Sequence, residues 1–230
     1  MKIPARSFRV WAGEGDSHHA APFRTADAPG APLTASTHAD RPLTPRQAER
    51  RRGLLRAAAA LASRGGYEAV QMRDVAEGAH VALGTLYRYF PSKVHLLVAV
   101  MEEQLGALNE QVRRRPPTAG DPAGRVAETL TLAFHALQRD PLLAEAMVRA
   151  LSFADRSVGR EVDAVAGLTS EIVLAAARLP EPPTPGQQAA LRVIGHTWHA
   201  TLLSWLSGRS SLAEVRGDLH TAARLLTADG

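Results

Sequence analysis

Apolar residues recur at helical spacing along most of the chain beyond residue 44. Leu54, Ala58 and Leu61 share one face of the first such segment, which is the spacing of an amphipathic helix. Thr44 followed by Pro45 is typical of a helix start, because threonine caps the first turn and proline fits its first position. The pattern therefore predicts that ordered structure begins at this pair.

The same reasoning predicts nine helices, separated by glycine and proline breaks. They span residues 45–64, 72–79, 82–89, 92–114, 121–138, 141–152, 157–179, 185–207 and 211–227. The sequence shows no alternating strand pattern and no Asn-Gly or Asp-Gly hairpin turn. We therefore predict an all-α protein.

The segment before the first helix has a different composition. Residues 1–44 contain five prolines and no apolar period of either 2 or 3.6 residues. Such a segment cannot bury enough apolar surface to offset the entropy of ordering. We expect residues 1–44 to be a disordered extension, residues 45–92 to be a small helical domain, and residues 93–230 to be a second helical domain.

Composition narrows the class of protein. The chain has no cysteine, which excludes disulfides and thiolate metal sites and fits the reducing cytoplasm. No apolar run approaches the roughly 18 residues of a membrane span, and the N-terminus lacks the apolar stretch of a signal peptide. We therefore expect a cytoplasmic protein with no membrane partner.

Positive charge is concentrated early in the chain. Residues 45–115 hold twelve basic and seven acidic residues, whereas residues 116–230 hold ten basic and twelve acidic residues. A basic segment joined to a slightly acidic one favours a polyanion-binding domain attached to another domain. The alternative is an ordinary solvated surface, since the excess is modest.

Two short helices, 72–79 and 82–89, follow a longer one in the manner of a helix-turn-helix, whose second helix enters the DNA major groove. Leu86 and Phe90 are predicted to face the core, which leaves the rest of the second helix for DNA. The Thr85 hydroxyl and the tyrosine hydroxyls suit bases and phosphates. The candidate DNA-binding residues are Arg73, Ala82, Leu83, Gly84, Thr85, Tyr87, Arg88, Tyr89 and Lys93. The alternative is a helical hairpin whose tyrosines are half-buried.

The stretches 66–70, 72–76 and 81–93 together resemble the TetR family of transcriptional repressors. They read GYEAV, MRDVA and VALGTLYRYFPSK. The resemblance implies a homodimer that binds palindromic double-stranded operator DNA through one helix-turn-helix per subunit. It also implies a C-terminal helical domain for ligand binding and dimerisation.

Five further stretches resemble a narrower group within that family, the actinobacterial repressors of cholesterol catabolism. They are residues 67–72, 86–97, 141–149, 153–155 and 205–206. This resemblance implies control of lipid or sterol catabolism genes and release from DNA by a hydrophobic inducer, specifically a steroid-derived acyl-CoA thioester. The alternative is a TetR-type regulator of drug efflux or fatty-acid metabolism.

Large apolar residues in the C-terminal domain are candidates for an inducer site, because flexible Met and aromatic walls suit a flat polycyclic ligand. They are Phe134, Leu137, Met147, Leu151, Phe153, Trp198, Leu202 and Trp205. Thr197, His196, His199 and His135 are the nearest polar candidates. An ordinary core is the alternative for each of these residues. We expect no metal, since His196 and His199 supply only two ligands, and no cofactor.

The last two helices are expected to form the dimer interface in a four-helix arrangement. The candidates are Leu203, Leu212, Val215, Leu219, Ala222 and Leu226, although the same residues could close the monomer core instead. An enzyme is not expected, because the chain has no Gly-x-Ser-x-Gly elbow, phosphate-binding glycine loop or metal-ligand triplet. An enzyme acting on a lipid or CoA ester, and a DNA-binding scaffold with no ligand, remain as alternatives.

Overall fold

A computed structural model describes residues 43–179 and 182–227. The predicted disordered extension over residues 1–44 lies outside the described residues, apart from Leu43 and Thr44. The described residues form one compact unit.

The described residues form nine α-helices and no strand, which confirms the all-α prediction. The helices are α1 (Pro45–Ala69), α2 (Met72–Gly78), α3 (Leu83–Tyr89), α4 (Lys93–Arg114), α5 (Pro122–Arg139), α6 (Pro141–Ser152), α7 (Gly159–Ala177), α8 (Pro185–Leu206) and α9 (Leu212–Arg224). A short 3-10 turn at Arg156–Val158 precedes α7, and another at Leu225–Thr227 follows α9.

Side-chain caps explain where several helices begin. The Thr44 hydroxyl accepts a hydrogen bond from the Gln47 N–H, and the Gln47 side chain accepts one from the Thr44 N–H, which completes a capping box. Ser92 caps α4 and Asp140 caps α6. The predicted start at Thr44 and Pro45 is therefore confirmed.

Regular helical geometry in α1 ends at residue 64, as predicted. Gly65 and Gly66 leave helical geometry, with φ of 65° at Gly66, and a short helical segment follows as far as Ala69. The glycine pair therefore separates the long part of α1 from a short turn that the sequence did not predict. The turn beyond the bend is held by a tertiary contact, since the Tyr67 N–H donates to the Glu145 carboxylate of α6 at 2.8 Å.

Two apolar cores meet at α6. The first core joins α1–α4 to Ala146, Met147 and Ala150 of α6, and it also includes Val165 of α7. The second core is built from α5 and α7–α9 and includes Val148 of α6. Because α6 contributes to both cores, the first three helices are packed directly on the C-terminal bundle.

Arg125 is a buried charged residue that ties α7 to the α4–α5 connection. It is only 9% exposed, and its guanidinium donates to the carbonyls of Ala176 at 3.1 Å and Ala177 at 2.7 Å at the end of α7. It also donates to the Gly120 carbonyl at 3.0 Å. These bonds satisfy helix-end carbonyls that have no partner within α7.

We expect Arg125→Met to lower the free energy of unfolding by roughly 3 kcal/mol, because charge-assisted bonds are lost and buried carbonyls are left unpaired. Chemical denaturation followed by circular dichroism measures this. Arg178→Met is the control, since exposed Arg178 makes one 3.2 Å bond to the Pro117 carbonyl, and its effect should stay within about 0.5 kcal/mol. Equal losses in the two variants would contradict this assignment.

Candidate DNA-binding surface and ligand cavity

A tight turn orients α3 relative to α2. His80 adopts a left-handed conformation with φ of 53°, and the Val81 N–H donates to the Ala76 carbonyl at 2.9 Å. Leu86 is fully buried and Phe90 is 3% exposed, which confirms their predicted inward orientation. The two buried side chains fix the rotation of α3 and thereby determine which face it presents outward.

The outward face of α3 carries most of the candidate DNA-binding residues. Ala82, Gly84, Tyr87 and Arg88 are exposed, and the Tyr87 side chain is 45% exposed. Thr85 is partly exposed beside them. Tyr87 is therefore open to solvent, whereas the alternative of a half-buried tyrosine describes Tyr89, which packs against the first core.

Three other candidates have different surroundings. Arg73 is exposed in the first turn of α2. Leu83 and Tyr89 are partly buried and pack against the first core, so only part of each side chain is accessible. A Cβ atom at Gly84 would have no neighbour within 4 Å, so this glycine lies at an open part of the surface.

Lys93, predicted to bind phosphate, is partly buried in this structure. Its Nζ atom lies 3.9 Å from the centroid of the Tyr67 ring, which is a cation–π contact. Burial lowers the pKa of the Lys93 ammonium below its ordinary value. The side chain therefore packs at the boundary between α1 and α4.

Around this contact lies a group of side chains that we call the junction cluster: Tyr67, Glu68, Lys93, Glu145, Arg149 and Phe153. Arg149 of α6 forms an ion pair with Glu68 at 2.8 Å and lies 4.9 Å from the Tyr67 ring centroid. Phe153 packs edge-on to Tyr67 with ring centroids 5.5 Å apart. Burial raises the pKa of the Tyr67 hydroxyl. The cluster connects the end of α1 and the start of α4 to α6.

Gly66 is required for the close approach of α1 to α6. Its φ is positive, and a Cβ atom there would lie 2.6 Å from Glu145 Oε2, the oxygen that accepts from the Tyr67 N–H. We expect Gly66→Ala to lower the free energy of unfolding by about 2 kcal/mol, through backbone strain and loss of this bond. Thermal or chemical denaturation tests the expectation.

Gly106 provides a matched control inside α4. A Cβ atom there meets nothing within 4 Å, so Gly106→Ala should stabilise the protein by roughly 0.5–1 kcal/mol through helix propensity. A neutral result for Gly66→Ala would show that α1 and α6 do not need this approach.

A cavity of about 710 Å³ lies between α4, α5, α6, α7 and α8. Its apolar wall includes Met101, Leu105, Leu108, Leu137, Leu143, Met147, Leu151, Val162, Val165, Trp198 and Leu202. Its polar lining residues are Gln104, Asp140, Asp155, Asp163, Thr169, Ser170, Arg192, His196 and His199. This volume is in the range of small-molecule sites. Apolar residues form the larger part of the lining, as is usual in such sites.

The cavity contains five of the predicted ligand-binding residues, namely Leu137, Met147, Leu151, Trp198 and Leu202. The other three, Phe134, Phe153 and Trp205, do not line the cavity. Phe134 is 1% exposed within the second core and packs edge-on to Trp205 with ring centroids 5.0 Å apart. Phe153 belongs to the junction cluster, where it is 54% exposed. All three are core or junction residues whose helical spacing resembles that of the cavity residues.

The polar candidates divide in the same way. His196 and His199 line the cavity, whereas His135 lies outside its lining and its Nε2 accepts from Arg216 at 2.6 Å. Burial lowers the pKa of His199, which favours a neutral imidazole. Its Nε2 lies 3.4 Å from the Ser152 hydroxyl. Neutral His199 therefore adds hydrogen-bonding capacity without charge.

The predicted ligand site included no residue of α4 or α7, although both helices line the cavity. The apolar stripe of α4 contains Met101, Leu105 and Leu108, so the signal was present but equally fits an ordinary core. Helix packing alone determines that this stripe borders an open space.

Most of the predicted dimer residues are buried within the subunit. Val215 and Leu219 are fully buried, and Ala222 and Leu226 are 5% and 3% exposed in the second core. These four therefore close the monomer core, which was the stated alternative. Leu203 and Leu212 are each 43% exposed, and they remain available to a partner.

No group of three or more His, Asp or Glu residues within 43–179 and 182–227 has a geometry that could hold a metal ion. None of the helices in these ranges has the length and apolar character needed to cross a membrane.

Comparison with known proteins connects both parts of the chain to one family. Residues 54–100 match the family model described as bacterial regulatory proteins of the tetR family. Residues 120–226 match the model of the tetracyclin repressor-like C-terminal domain. The two matches cover the helix-turn-helix and most of the cavity-bearing bundle.

Individual relatives support the same assignment over most of the chain. The HTH-type transcriptional repressor KstR of Rhodococcus jostii is 48% identical over 184 residues, which cover 80% of this chain and 85% of that protein. The repressor of the same name from Mycobacterium tuberculosis is 45% identical over 183 residues, which cover 80% of this chain and 83% of that protein.

A solved structure extends the similarity to three dimensions. The crystal structure of a TetR transcriptional regulator from Rhodococcus sp. RHA1 matches with a TM-score of 0.75 and 36% identity. The match covers 80% of this chain and 98% of that chain. On this sequence and structural evidence, the chain belongs to the tetR family of bacterial regulatory proteins.

Proposed function

We propose that this protein is a transcriptional repressor that binds operator DNA through α3 and is released by a hydrophobic ligand in the α4–α8 cavity. The observation that carries the proposal is the outward face of α3, where Thr85, Tyr87 and Arg88 lie beside one another while Leu86 is fully buried. A hydroxyl, a phenol and a guanidinium are groups that contact phosphates and base edges. Relatives named transcriptional repressors support the same activity.

Binding as a homodimer forms part of this proposal. Two copies of α3 roughly 34–36 Å apart would enter successive major grooves of a palindromic operator. Exposed Leu203 and Leu212 belong to the proposed interface, together with Val193 of α8 and Leu225, which are 44% and 42% exposed. Exposed apolar side chains on neighbouring helices favour an interface with a second copy.

The proposed ligand class is a steroid-derived acyl-CoA, whose release of the protein would control sterol or lipid catabolism genes. The cavity volume of about 710 Å³ and its Met and Trp walls suit a rigid polycyclic group. Arg192 is exposed at the cavity lining and can pair with a phosphate group of CoA. The sequence resemblance to repressors of cholesterol catabolism favours the same class.

Catalysis does not form part of the proposal. The relatives are named as regulators, and the site proposed for the ligand is a predominantly apolar cavity. We propose that the protein acts in the cytoplasm, where bacterial operator DNA lies, and works by binding alone.

Fluorescence anisotropy with labelled DNA from the region upstream of its own coding sequence tests the proposal. The DNA is titrated with protein in the absence of ligand. The titration is then repeated in the presence of the CoA thioester of cholestenoic acid, of stearoyl-CoA or of free CoA. We expect tight binding that the steroid thioester weakens by about 5- to 150-fold, with little effect of free CoA. Release by stearoyl-CoA alone would favour a regulator of fatty-acid metabolism, and failure to bind this DNA would contradict a repressor of its own operon.

A further inference from the structure

We propose that His95 couples ligand binding in the cavity to the position of α3, through the hydrogen-bonded series Asp155–Ser157–His95–Ser92, hereafter the His95 network. This inference rests on the proposed function, because it assigns the residues through which the cavity regulates DNA binding. The network runs from the cavity lining to the N-cap of α4, two residues beyond the C-cap of α3.

The cavity end of the network is Asp155, which lines the cavity immediately before the 3-10 turn Arg156–Val158. Its Oδ1 atom accepts from the Ser157 N–H at 2.8 Å and from the Ser157 hydroxyl at 2.6 Å. These bonds lower the pKa of Asp155, so the group is a carboxylate near neutral pH. They also hold the 3-10 turn Arg156–Val158, so a ligand that displaces Asp155 displaces the turn.

The centre of the network is the His95 side chain, which is 7% exposed. Its Nε2 atom lies 3.1 Å from the Ser157 carbonyl oxygen. A carbonyl oxygen can only accept, so Nε2 carries the proton. In the neutral imidazole, Nδ1 is then the acceptor, and the Ser92 hydroxyl donates to it at 2.9 Å.

The DNA-binding end is Ser92, whose hydroxyl also accepts from the His95 N–H at 3.4 Å as the cap of α4. Pro91, with its restricted backbone, separates Ser92 from Phe90, which is buried at the end of α3. A shift of Ser92 therefore acts through a short and stiff connection on the helix that carries Tyr87.

His95 links the Arg156–Val158 turn to the N-terminus of α4 through its two side-chain hydrogen bonds. A buried imidazole must keep its partners, because an unpaired polar group in the core costs free energy. When the Arg156–Val158 turn moves with the ligand, His95 therefore follows the Ser157 carbonyl or loses a buried bond. Either response alters the N-terminus of α4. The ligand and the operator therefore favour different positions of this helix end.

His95→Phe removes both side-chain hydrogen bonds and keeps a buried ring, while His95→Gln keeps a donor and an acceptor. The upstream DNA is titrated by anisotropy with and without saturating cholestenoic acid CoA thioester, and thermal shift measures ligand binding separately. We expect His95→Phe to bind DNA and ligand within about threefold of the unaltered protein. In the unaltered protein the ligand should weaken DNA binding by about 5- to 150-fold. In His95→Phe this weakening should be less than about threefold. His95→Gln should retain most of the ligand-induced weakening of DNA binding.

His135→Phe is the matched control, since this partly buried histidine lies outside the cavity lining and the His95 network. It should leave the ligand effect unchanged. If His95→Phe fails to fold, Ser92→Ala removes the hydroxyl that bonds to His95 Nδ1 and lies outside the cavity lining, so it should show the same loss of release with a preserved ligand-induced thermal shift. Full release of a folded His95→Phe or Ser92→Ala variant overturns this inference alone. Absence of release in the unaltered protein overturns the proposed function as well.

Discussion

Tyr87→Ala should lower operator affinity by about 100-fold. The side chain is 45% exposed on the outward face of α3, where its hydroxyl can donate to a phosphate. One charge-assisted hydrogen bond contributes at least about 1.5 kcal/mol, and a dimer loses it twice, which corresponds to about two decades in affinity. Anisotropy titrations at fixed salt give the ratio of dissociation constants.

Two comparisons separate a DNA contact from a folding defect. Tyr87→Phe removes only the hydroxyl and should reproduce most of the loss, while the thermal stability of both variants should stay within about 0.5 kcal/mol of the unaltered protein. Arg88→Ala should additionally reduce the dependence of binding on salt, because fewer counterions are released. Unchanged affinity for both Tyr87 variants would remove the outward face of α3 from the proposed interface.

Gly195→Phe should abolish ligand binding and leave a repressor that stays on its operator. Gly195 lies in the α8 wall of the cavity, and a Cβ atom there has no neighbour within 4 Å. A phenyl group therefore has room to extend into the space proposed for the ligand, and it competes with the ligand for that volume. We expect ligand affinity to fall by at least about 100-fold, equivalent to about 2.7 kcal/mol.

Gly195→Ala is the matched control. It adds one methyl group in the same open space and removes the helix penalty of glycine, so ligand affinity should change by less than about threefold. Isothermal titration with the cholestenoic acid CoA thioester measures ligand affinity. Anisotropy with upstream DNA measures DNA binding and its release by the ligand. Normal release of the Gly195→Phe variant would place the ligand outside this cavity.

Local signals explain why the helix-turn-helix was predictable. The Thr44–Pro45 start, the short segments around α2 and α3, and the break at Pro91 each depend on neighbouring residues, and the structure places the helices close to those positions. The inward orientation of Leu86 and Phe90 follows from the helical period. The family resemblance carried by the same segment is confirmed by the comparisons.

Tertiary packing explains what the sequence did not predict. Val215 and Leu219 have the spacing of an apolar helix face, and that spacing is the same whether the face meets its own subunit or a partner. In the structure it meets α5 and α8 within one subunit. Likewise, nothing in the sequence around Glu145 and Arg149 indicates that they contact Gly66 and Glu68, about 80 residues earlier in the chain.

The most direct test of ligand control is a closed thermodynamic cycle measured on the unaltered protein. The dissociation constant of the upstream DNA is measured with and without saturating cholestenoic acid CoA thioester, and that of the thioester is measured with and without saturating DNA. Linkage requires the two ratios to be equal, and we predict a common factor of about 5 to 150. Equal ligand affinity for the free and DNA-bound protein would contradict control of α3 by the cavity.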